Sequence, residues 1–238
     1  MSILTIQSEN ISSIIEHILP AQPCLLCGAP SRNGAWCAAC DASLPYLNTP
    51  HCPVCALPTL HGATCGRCLK RPPQFDHTVA AYAYAFPLDK LVQALKFGEQ
   101  LVLANSLADR LAQRIELRPD GIMAMPLHSS RLRERGFNQS LELARRIASR
   151  LDIPLLKQAC QRVRDTPPQS SLTWKERGKN MRRAFTCTGD LSGKHIAMVD
   201  DVMTSGASLN ELALALRRAG ATEVSAWVVA RTLPHTKR

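Results

Sequence analysis

The chain has 238 residues, of which 45% are hydrophobic and 20% are charged. This length accommodates one medium-sized domain and a small module, and the apolar fraction is sufficient for a packed core. The composition excludes a membrane-spanning helix, and we find no secretion signal, so we expect a cytoplasmic protein.

The formal net charge of +10 is concentrated in the middle of the chain. Residues 128–183 contain fourteen Lys and Arg against five Asp and Glu, whereas residues 1–71 contain four against three. This concentration favours a polyanionic ligand, either a pyrophosphate or a nucleic acid, although a solvated basic surface is the usual explanation of such a run.

The first 20 residues are predicted to form a separate N-terminal element. Within them, residues 11–19 have the spacing of a short amphipathic helix, with four isoleucines on one face. We interpret this helix as a docking element rather than a membrane anchor.

A cysteine-rich module is predicted at residues 21–71. Its eight cysteines form four Cys-x-x-Cys pairs, and the second half repeats the first with a shift of 28 residues. Pro30 corresponds to Pro58, and Gly34 corresponds to Gly62. The eight cysteines are Cys24, Cys27, Cys37, Cys40, Cys52, Cys55, Cys65 and Cys68.

The Cys-x-x-Cys spacing lets two thiolates of one turn bind the same tetrahedral metal ion. Eight ligands predict two zinc sites, which are structural because cysteines fill every position. A disulfide framework is disfavoured because the chain lacks a secretion signal. We favour pairing within each repeat, and a crossed arrangement remains open. Cys160 and Cys187 lie outside the module and are interpreted as buried thiols.

The rest of the chain, residues 72–238 after the Pro72-Pro73 boundary, is predicted to be an α/β domain with a parallel sheet. Ligands of such sheets bind at the carboxyl ends of the strands, so the loops after Met125 and Val199 are the expected site. The predicted strands at 78–86, 122–125, 195–199 and 224–229 alternate with predicted helices at 88–96, 101–117, 141–151 and 208–219.

The loop after Met125 is strongly basic and leads from a strand into a helix. Its arginines could clamp phosphate oxygens, or could simply lie in solvent at a basic helix start. The candidate ligand-binding residues of this loop are Leu127, His128, Arg131 and Arg135.

The segment at 162–185 is long, polar and basic. Such a segment suits a lid that closes over a bound ligand and excludes water, although a plain linker is the alternative. Trp174 and Phe185 among its basic residues would also permit stacking on the bases of single-stranded nucleic acid.

The loop after Val199 is the segment that most clearly indicates a ligand-binding site. Asp200 and Asp201 follow the apolar strand and suit ribose hydroxyls or a magnesium ion. A short run of hydroxyl and small residues then enters a helix, whose free N–H groups and dipole suit a phosphate. The alternative is a strand-turn-helix in which Ser208 and Glu211 form a capping box. The candidate phosphate-binding residues are Thr204, Ser205, Gly206, Ala207 and Ser208.

This loop resembles the phosphoribosyl pyrophosphate (PRPP) loop of type I phosphoribosyltransferases, with Ser205 in place of the usual second Thr. The resemblance implies that the basic loop after Met125 binds pyrophosphate. Almost the whole chain also resembles the ComF/GntX family, most specifically in the string from Arg135 to Ser140. That resemblance extends to Leu95-Lys96-Phe97 and to three residues of the predicted lid, Gln169, Arg177 and Asn180.

The resemblance implies a phosphoribosyltransferase fold behind a zinc-binding head, with a link to natural competence and the use of external DNA. As an enzyme, the protein would bind PRPP with magnesium and transfer the phosphoribosyl group to a nitrogen acceptor that the sequence does not identify. Asp200 and Asp201 would be its catalytic residues. The alternative is a non-catalytic PRPP sensor, or a partner of single-stranded DNA or DNA-uptake proteins.

Overall fold

A computed structural model of the protein describes residues 21–32, 34–97, 101–164 and 183–234. The chain divides into two compact units, residues 1–44 and residues 45–238. The first cysteine repeat belongs to the first unit, and the second repeat belongs to the same unit as the sheet. The predicted N-terminal helix lies outside the described residues, and the predicted module boundary at Pro72 stays a prediction.

The first unit is small and is held together by local hydrogen bonds. Ser31 Oγ donates to the carbonyl oxygens of Gly34 at 3.0 Å and Trp36 at 2.9 Å. The indole Nε1 of Trp36 donates to Asp41 Oδ1 at 2.7 Å. The described residues of this unit form an antiparallel strand pair and a short helix: β1 (Gln22–Pro23), β2 (Pro30–Ser31) and α1 (Ala38–Ala42).

The second unit is an α/β domain, which confirms the predicted fold class. Its strands are β3 (His77–Ala83), β4 (Gly121–Ala124), β5 (Cys160–Arg162), β6 (Phe185–Cys187), β7 (His195–Met203) and β8 (Glu223–Arg231). Its α-helices are α2 (Gly66–Lys70), α3 (Leu88–Phe97), α4 (Leu101–Ala112), α5 (Ser129–Arg135), α6 (Gln139–Leu151) and α7 (Ala207–Arg218). Four of the strands form a parallel sheet in the order β3-β8-β7-β4.

The central strands β7 and β8 are almost wholly buried, as expected for parallel strands that helices cover. Helices α4 and α6 pack against each other and against the sheet, while α7 packs against β7, β8 and β6. One buried cluster combines Ile196 and Met198 of β7 with Leu212 of α7. Cys52 and Cys55 of the second cysteine repeat belong to the same cluster, so this repeat is part of the core of the sheet domain.

Two elements differ from the prediction near the expected site. Strand β7 continues to Met203 instead of ending at Val199, because β8 pairs with it as far as the Met203–Arg231 pair. Asp200 and Asp201 therefore lie on the end of the strand rather than in the loop after it. Helix α5 occupies the middle of the segment that we predicted as a basic loop after Met125.

The interpretation of Cys160 and Cys187 as buried thiols is wrong. The two residues lie directly opposite each other on the antiparallel strands β5 and β6, and a disulfide joins them. Residues in such register have neighbouring Cβ atoms, a proximity that their separation in the sequence does not reveal. Most of the predicted lid lies between these strands and outside the described residues. In the part of the chain that the structure describes, no helix has the length and apolarity to cross a membrane.

Candidate functional site

The cysteines form two four-residue clusters, which confirms the pairing within each repeat and excludes the crossed arrangement. In each cluster the four Sγ atoms lie within 4.8 Å of one another. Ligands of a tetrahedral zinc ion lie roughly 3.8 Å apart when Zn–S is about 2.3 Å. The Sγ–Sγ distances of 3.7 Å and 3.6 Å in the two clusters fit this geometry. The first cluster is Cys24, Cys27, Cys37 and Cys40; the second cluster is Cys52, Cys55, Cys65 and Cys68.

Each cluster contains one thiol that ionises readily. Burial opposes ionisation of Cys24, but hydrogen bonds from Cys37 and other neighbours lower its pKa to about 6. In the second cluster, burial is likewise outweighed by hydrogen bonds from Cys68 and other ligands, which lower the pKa of Cys65 to about 7. Thiolates are the form that binds zinc, so both clusters have the chemistry of structural zinc sites.

The two acids at the end of β7 are held by residues from two helices. Asp200 Oδ1 accepts a hydrogen bond from Ser140 Oγ at 2.9 Å. Asp201 Oδ2 accepts one from Gln139 Nε2 at 3.2 Å and forms an ion pair with Lys96 Nζ at 2.9 Å. Asp201 is 4% exposed, so the ion pair is largely removed from water. This arrangement fixes both carboxylates at the carboxyl edge of the sheet.

The ionisation of Asp200, Asp201 and Lys96 is strongly coupled. Burial and the neighbouring Asp201 raise the pKa of Asp200 to about 7, while Lys96 and Ser140 act in the opposite direction. Burial also acts against the charge of Lys96, but the carboxylate of Asp201 outweighs it and raises the pKa of Lys96. Lys96 is therefore a permanent counter-charge, and Asp200 gains or loses a proton near neutral pH.

The string from Arg135 to Ser140 has a definite structural role. Gly136 ends α5 in the left-handed conformation, with φ 75°. Asn138 caps α6, since its side chain accepts from the N–H groups of Ser140 and Leu141 and donates to the carbonyl of Met125. This cap places Gln139 and Ser140 in the first turn of α6, where they reach the two acids.

The basic residues of the predicted pyrophosphate loop lie on and beside α5. His128 caps this helix and accepts from the N–H of Ser130. Arg131 pairs with Glu134 at 3.2 Å, and Arg135 donates to Gln139 Oε1 at 3.3 Å. Because Gln139 also contacts Asp201, the structure links Arg135 to the acid pair.

A cavity of about 290 Å³ lies between the end of β4, α5 and β5. Leu127, one of the predicted ligand-binding residues, lines this cavity. Asn138, Gln161 and Lys157 contribute polar groups to the wall, and Met123 contributes apolar surface.

The predicted phosphate loop connects β7 to α7. Gly206 is the N-cap of α7 and has φ 80°, and a Cβ there would lie 2.8 Å from Met203 Cε. The helix begins at Ala207, and Glu211 accepts from the backbone N–H of Arg183, so Ser208 and Glu211 do not form a capping box at the N-cap. Residues 202–206 therefore separate the two acids from the start of a twelve-residue helix, and free N–H groups at such a helix start suit a phosphate.

Three site residues were missed by the sequence analysis: Lys96, Gln139 and Ser140. All three lie in motifs of the family resemblance, but nothing in their local pattern shows that they reach Asp200 and Asp201. The lid residues Gln169, Arg177 and Asn180 lie outside the described residues.

Comparisons with known proteins identify two domains in the chain. The double zinc ribbon domain matches residues 14–69, and the phosphoribosyl transferase domain matches residues 138–238. Competence protein F of Haemophilus influenzae is 33% identical over 227 residues, which are 90% of this chain and 93% of that protein. DNA utilization protein YhgH of Escherichia coli K12 is 36% identical over 223 residues, which are 88% of this chain and 97% of that protein.

Among solved structures, the PRPP amidotransferase from B. subtilis, complexed with ADP and GMP, is similar at 24% identity with a TM-score of 0.37. The match covers 52% of this chain and 25% of that one. Fold, cysteine clusters and matched domains together define a phosphoribosyltransferase-like protein with a double zinc ribbon. The chain belongs to the ComF family, together with competence protein F and YhgH.

Proposed function

We propose that the protein binds PRPP with magnesium at the ends of β4 and β7 and transfers its phosphoribosyl group to a nitrogen acceptor. The observation that carries this proposal is the acid pair near the end of β7, followed after a short loop by a glycine-capped helix start. The 5′-phosphate would bind the N–H groups from Thr204 to Ser208, and Asp200 and Asp201 would accept hydrogen bonds from the ribose hydroxyls.

In the reaction, the acceptor nitrogen forms a bond to C1 of the ribose while the bond from C1 to the pyrophosphate oxygen breaks, and the proton of the acceptor N–H passes to water. The bonding electrons leave with pyrophosphate, and positive charge develops on the ring. The carboxylates of Asp200 and Asp201 stabilise that charge electrostatically. Arg131 and Arg135 bind pyrophosphate oxygens after exchanging their contacts with Glu134 and Gln139. Magnesium, when bound, neutralises part of the pyrophosphate charge.

The cavity beside Asn138 is our candidate for the acceptor site. Its wall combines apolar side chains with amide groups, which suits a flat heterocycle with hydrogen-bonding edges. Replacing Gln161 with Ala should then raise the Michaelis constant for the acceptor while leaving PRPP affinity unchanged.

The second candidate function is a non-catalytic PRPP sensor, or a partner of single-stranded DNA. The names of the two relatives, competence protein F and DNA utilization protein, favour a role in handling DNA. The positive charge of residues 128–183 favours it as well. In that case PRPP and DNA would compete for Arg131 and Arg135.

Thermal unfolding with PRPP and magnesium tests the ligand. PRPP should raise the melting temperature of the wild type, because a ligand that binds only the folded state stabilises it. The double substitution Asp200→Asn with Asp201→Asn should abolish this increase. An equal increase in both proteins would contradict the proposal.

The contribution of helix α5 to binding is tested by substitution. Arg131→Ala and Arg135→Ala should weaken PRPP binding, whereas the exposed Arg133→Ala on the same helix is the matched control. Mass spectrometry of mixtures of PRPP with nucleobases or single-stranded DNA distinguishes an enzyme from a sensor. A new phosphoribosyl adduct identifies the acceptor, and intact PRPP favours the sensor.

A further inference from the structure

The carbonyl groups of the phosphate loop are held by two arginines from outside the loop. Arg231, at the end of β8, is only 1% exposed and donates through Nη1 to the carbonyls of Met203 and Thr204. Arg67, on α2, donates through Nη2 to the carbonyl of Ser205 at 3.0 Å. Three successive carbonyls, the last of β7 and the first two of the loop, thus accept hydrogen bonds from guanidinium groups.

Both arginines are connected to the second cysteine cluster. Arg67 lies between the ligands Cys65 and Cys68 in the chain. Arg231 donates through Nε to the carbonyl of Cys55 at 2.7 Å. The ribbon also anchors strand β3, because Thr78 donates through Oγ1 to the carbonyl of Val54 at 2.6 Å. The second cysteine repeat, which we also call the second zinc ribbon, is therefore connected to the phosphate loop by the hydrogen bonds of these two arginines.

The direction of these contacts matters because the peptide group is planar and trans. In such a group the C=O of one residue and the N–H of the next point in opposite directions. Fixing the carbonyls of Met203, Thr204 and Ser205 therefore fixes the N–H groups of Thr204, Ser205 and Gly206, which then point away from the two arginines.

We propose that Arg67 and Arg231 are positioning residues that let the second zinc ribbon set the geometry of the phosphate loop. They hold the loop carbonyls towards the ribbon and so turn the loop N–H groups towards the phosphate of the ligand. A loaded zinc cluster supports this role, since four thiolates outweigh the charge of one zinc ion and leave an anionic centre beside two cations. The assignment of the ligand as PRPP rests on the proposed function; the geometry of the loop does not.

Substitution of Arg67 is the decisive test, because this side chain is exposed and its loss should leave the protein folded. The readouts are the amide NMR resonances of Ser205 and Gly206 without ligand, and the dissociation constant of PRPP with magnesium. Lys70→Met, at an exposed position on the same helix, is the matched control.

Arg67→Met should shift both amide resonances and weaken PRPP binding by about tenfold, since a charge-assisted hydrogen bond is lost. Arg67→Lys should restore part of the affinity, because an ammonium group can still donate to the Ser205 carbonyl. Arg231→Lys, which keeps the buried charge but cannot serve all its acceptors, should shift the Thr204 and Ser205 resonances.

Unchanged Ser205 and Gly206 resonances in Arg67→Met would overturn the inference, as would affinity equal to that of Lys70→Met. A wild-type protein that does not bind PRPP, but whose amide resonances shift in Arg67→Met, would refute the proposed function and leave the positioning role supported.

Discussion

The two cysteine repeats have nearly the same local structure but different surroundings. In both, the residue after the first cysteine pair is left-handed, with φ 75° at Gly28 and φ 54° at Ala56. In both, a short helix follows the third ligand, Cys37 or Cys65. However, the second repeat shares a core with the parallel sheet, and the first belongs to a different compact unit.

This difference shows that a duplicated metal-binding unit can acquire two roles without a change in its ligands. The spacing of four cysteines is sufficient to bind zinc wherever the repeat lies. What the second repeat adds is in its other groups. Arg67 donates to the carbonyl of Ser205 in the phosphate loop. The carbonyl of Cys55 accepts from Arg231, which in turn donates to the carbonyl of Thr204. The cysteines of both repeats therefore have the same function, and their neighbours determine what each zinc site supports.

The largest expected effect is a difference in stability between substitutions in the two cysteine clusters. Cys68→Ser should destabilise the sheet unit by at least about 3 kcal/mol, because it removes a zinc site that belongs to the core. Cys40→Ser, at the equivalent position of the first repeat, should change the stability of that unit by less than about 0.5 kcal/mol. Hydrogen exchange of peptides from β7 and β8 measures this stability. Equal losses in both variants would contradict the distinction between the repeats.

The next effect concerns the ion pair between Lys96 and the buried Asp201 in the sheet unit. Lys96→Met should destabilise the sheet unit by about 2–4 kcal/mol, because the carboxylate of Asp201 loses its counter-charge. Chemical denaturation provides the measurement, and the exposed Lys90→Met on the same helix is the control. Combining Lys96→Met with Asp201→Asn should recover most of the loss; failure to recover would mean that Lys96 acts through packing.

A smaller effect depends on pH and concerns Asp200 in the sheet unit. The folded-state pKa of Asp200 is raised to about 7, so between its ordinary value and 7 the folded protein keeps a proton that the unfolded chain has lost. The stability of the ligand-free unit should therefore fall as the pH rises through this range, and the loss is complete above about 7. Asp200→Asn should stabilise the unit at pH 8 by about 1–3 kcal/mol.

Unfolding measured between pH 5 and pH 8 for the wild type and Asp200→Asn tests this expectation. The difference in unfolding free energy should increase from pH 5 to about pH 7 and then level off. A difference that does not vary with pH would show that Asp200 keeps an ordinary pKa. Binding of PRPP should also strengthen as the pH rises through 7, since the ionised carboxylate accepts the ribose hydroxyls.

The smallest effect compares the two left-handed positions. Gly28→Ala should destabilise the first unit by about 1 kcal/mol, from backbone strain alone, since no atom lies within 4 Å of the added Cβ. Ala56→Gly relieves similar strain but loses a fully buried methyl group, so its net effect should be within about 0.5 kcal/mol. Thermal unfolding of both variants tests this balance. A large loss in Ala56→Gly would mean that packing of the methyl group dominates.

Much of the site could be predicted from the sequence, because its parts are local. The acid pair, the hydroxyl and glycine loop and the following helix are consecutive in the chain, and the strand-helix alternation places them at the carboxyl edge of a sheet. The prediction of secondary structure failed where an element depends on other parts of the fold. The length of β7 depends on β8, and the helix at Ser129–Arg135 replaced a stretch that looked irregular because it is basic and short.

The sequence by itself determined the α/β class and the two four-cysteine sites, and it predicts the phosphate loop, because each depends on residue types at short, fixed spacing. Only the tertiary structure decided that Lys96, Gln139 and Ser140 hold the acids. It also decided that Cys160 faces Cys187 and that the second ribbon contacts the phosphate loop. These partners lie far apart in the chain, and the packing of strands and helices brings them together. Local periodicity in the sequence does not predict these long-range contacts, because they depend on where each helix and strand lies in the fold.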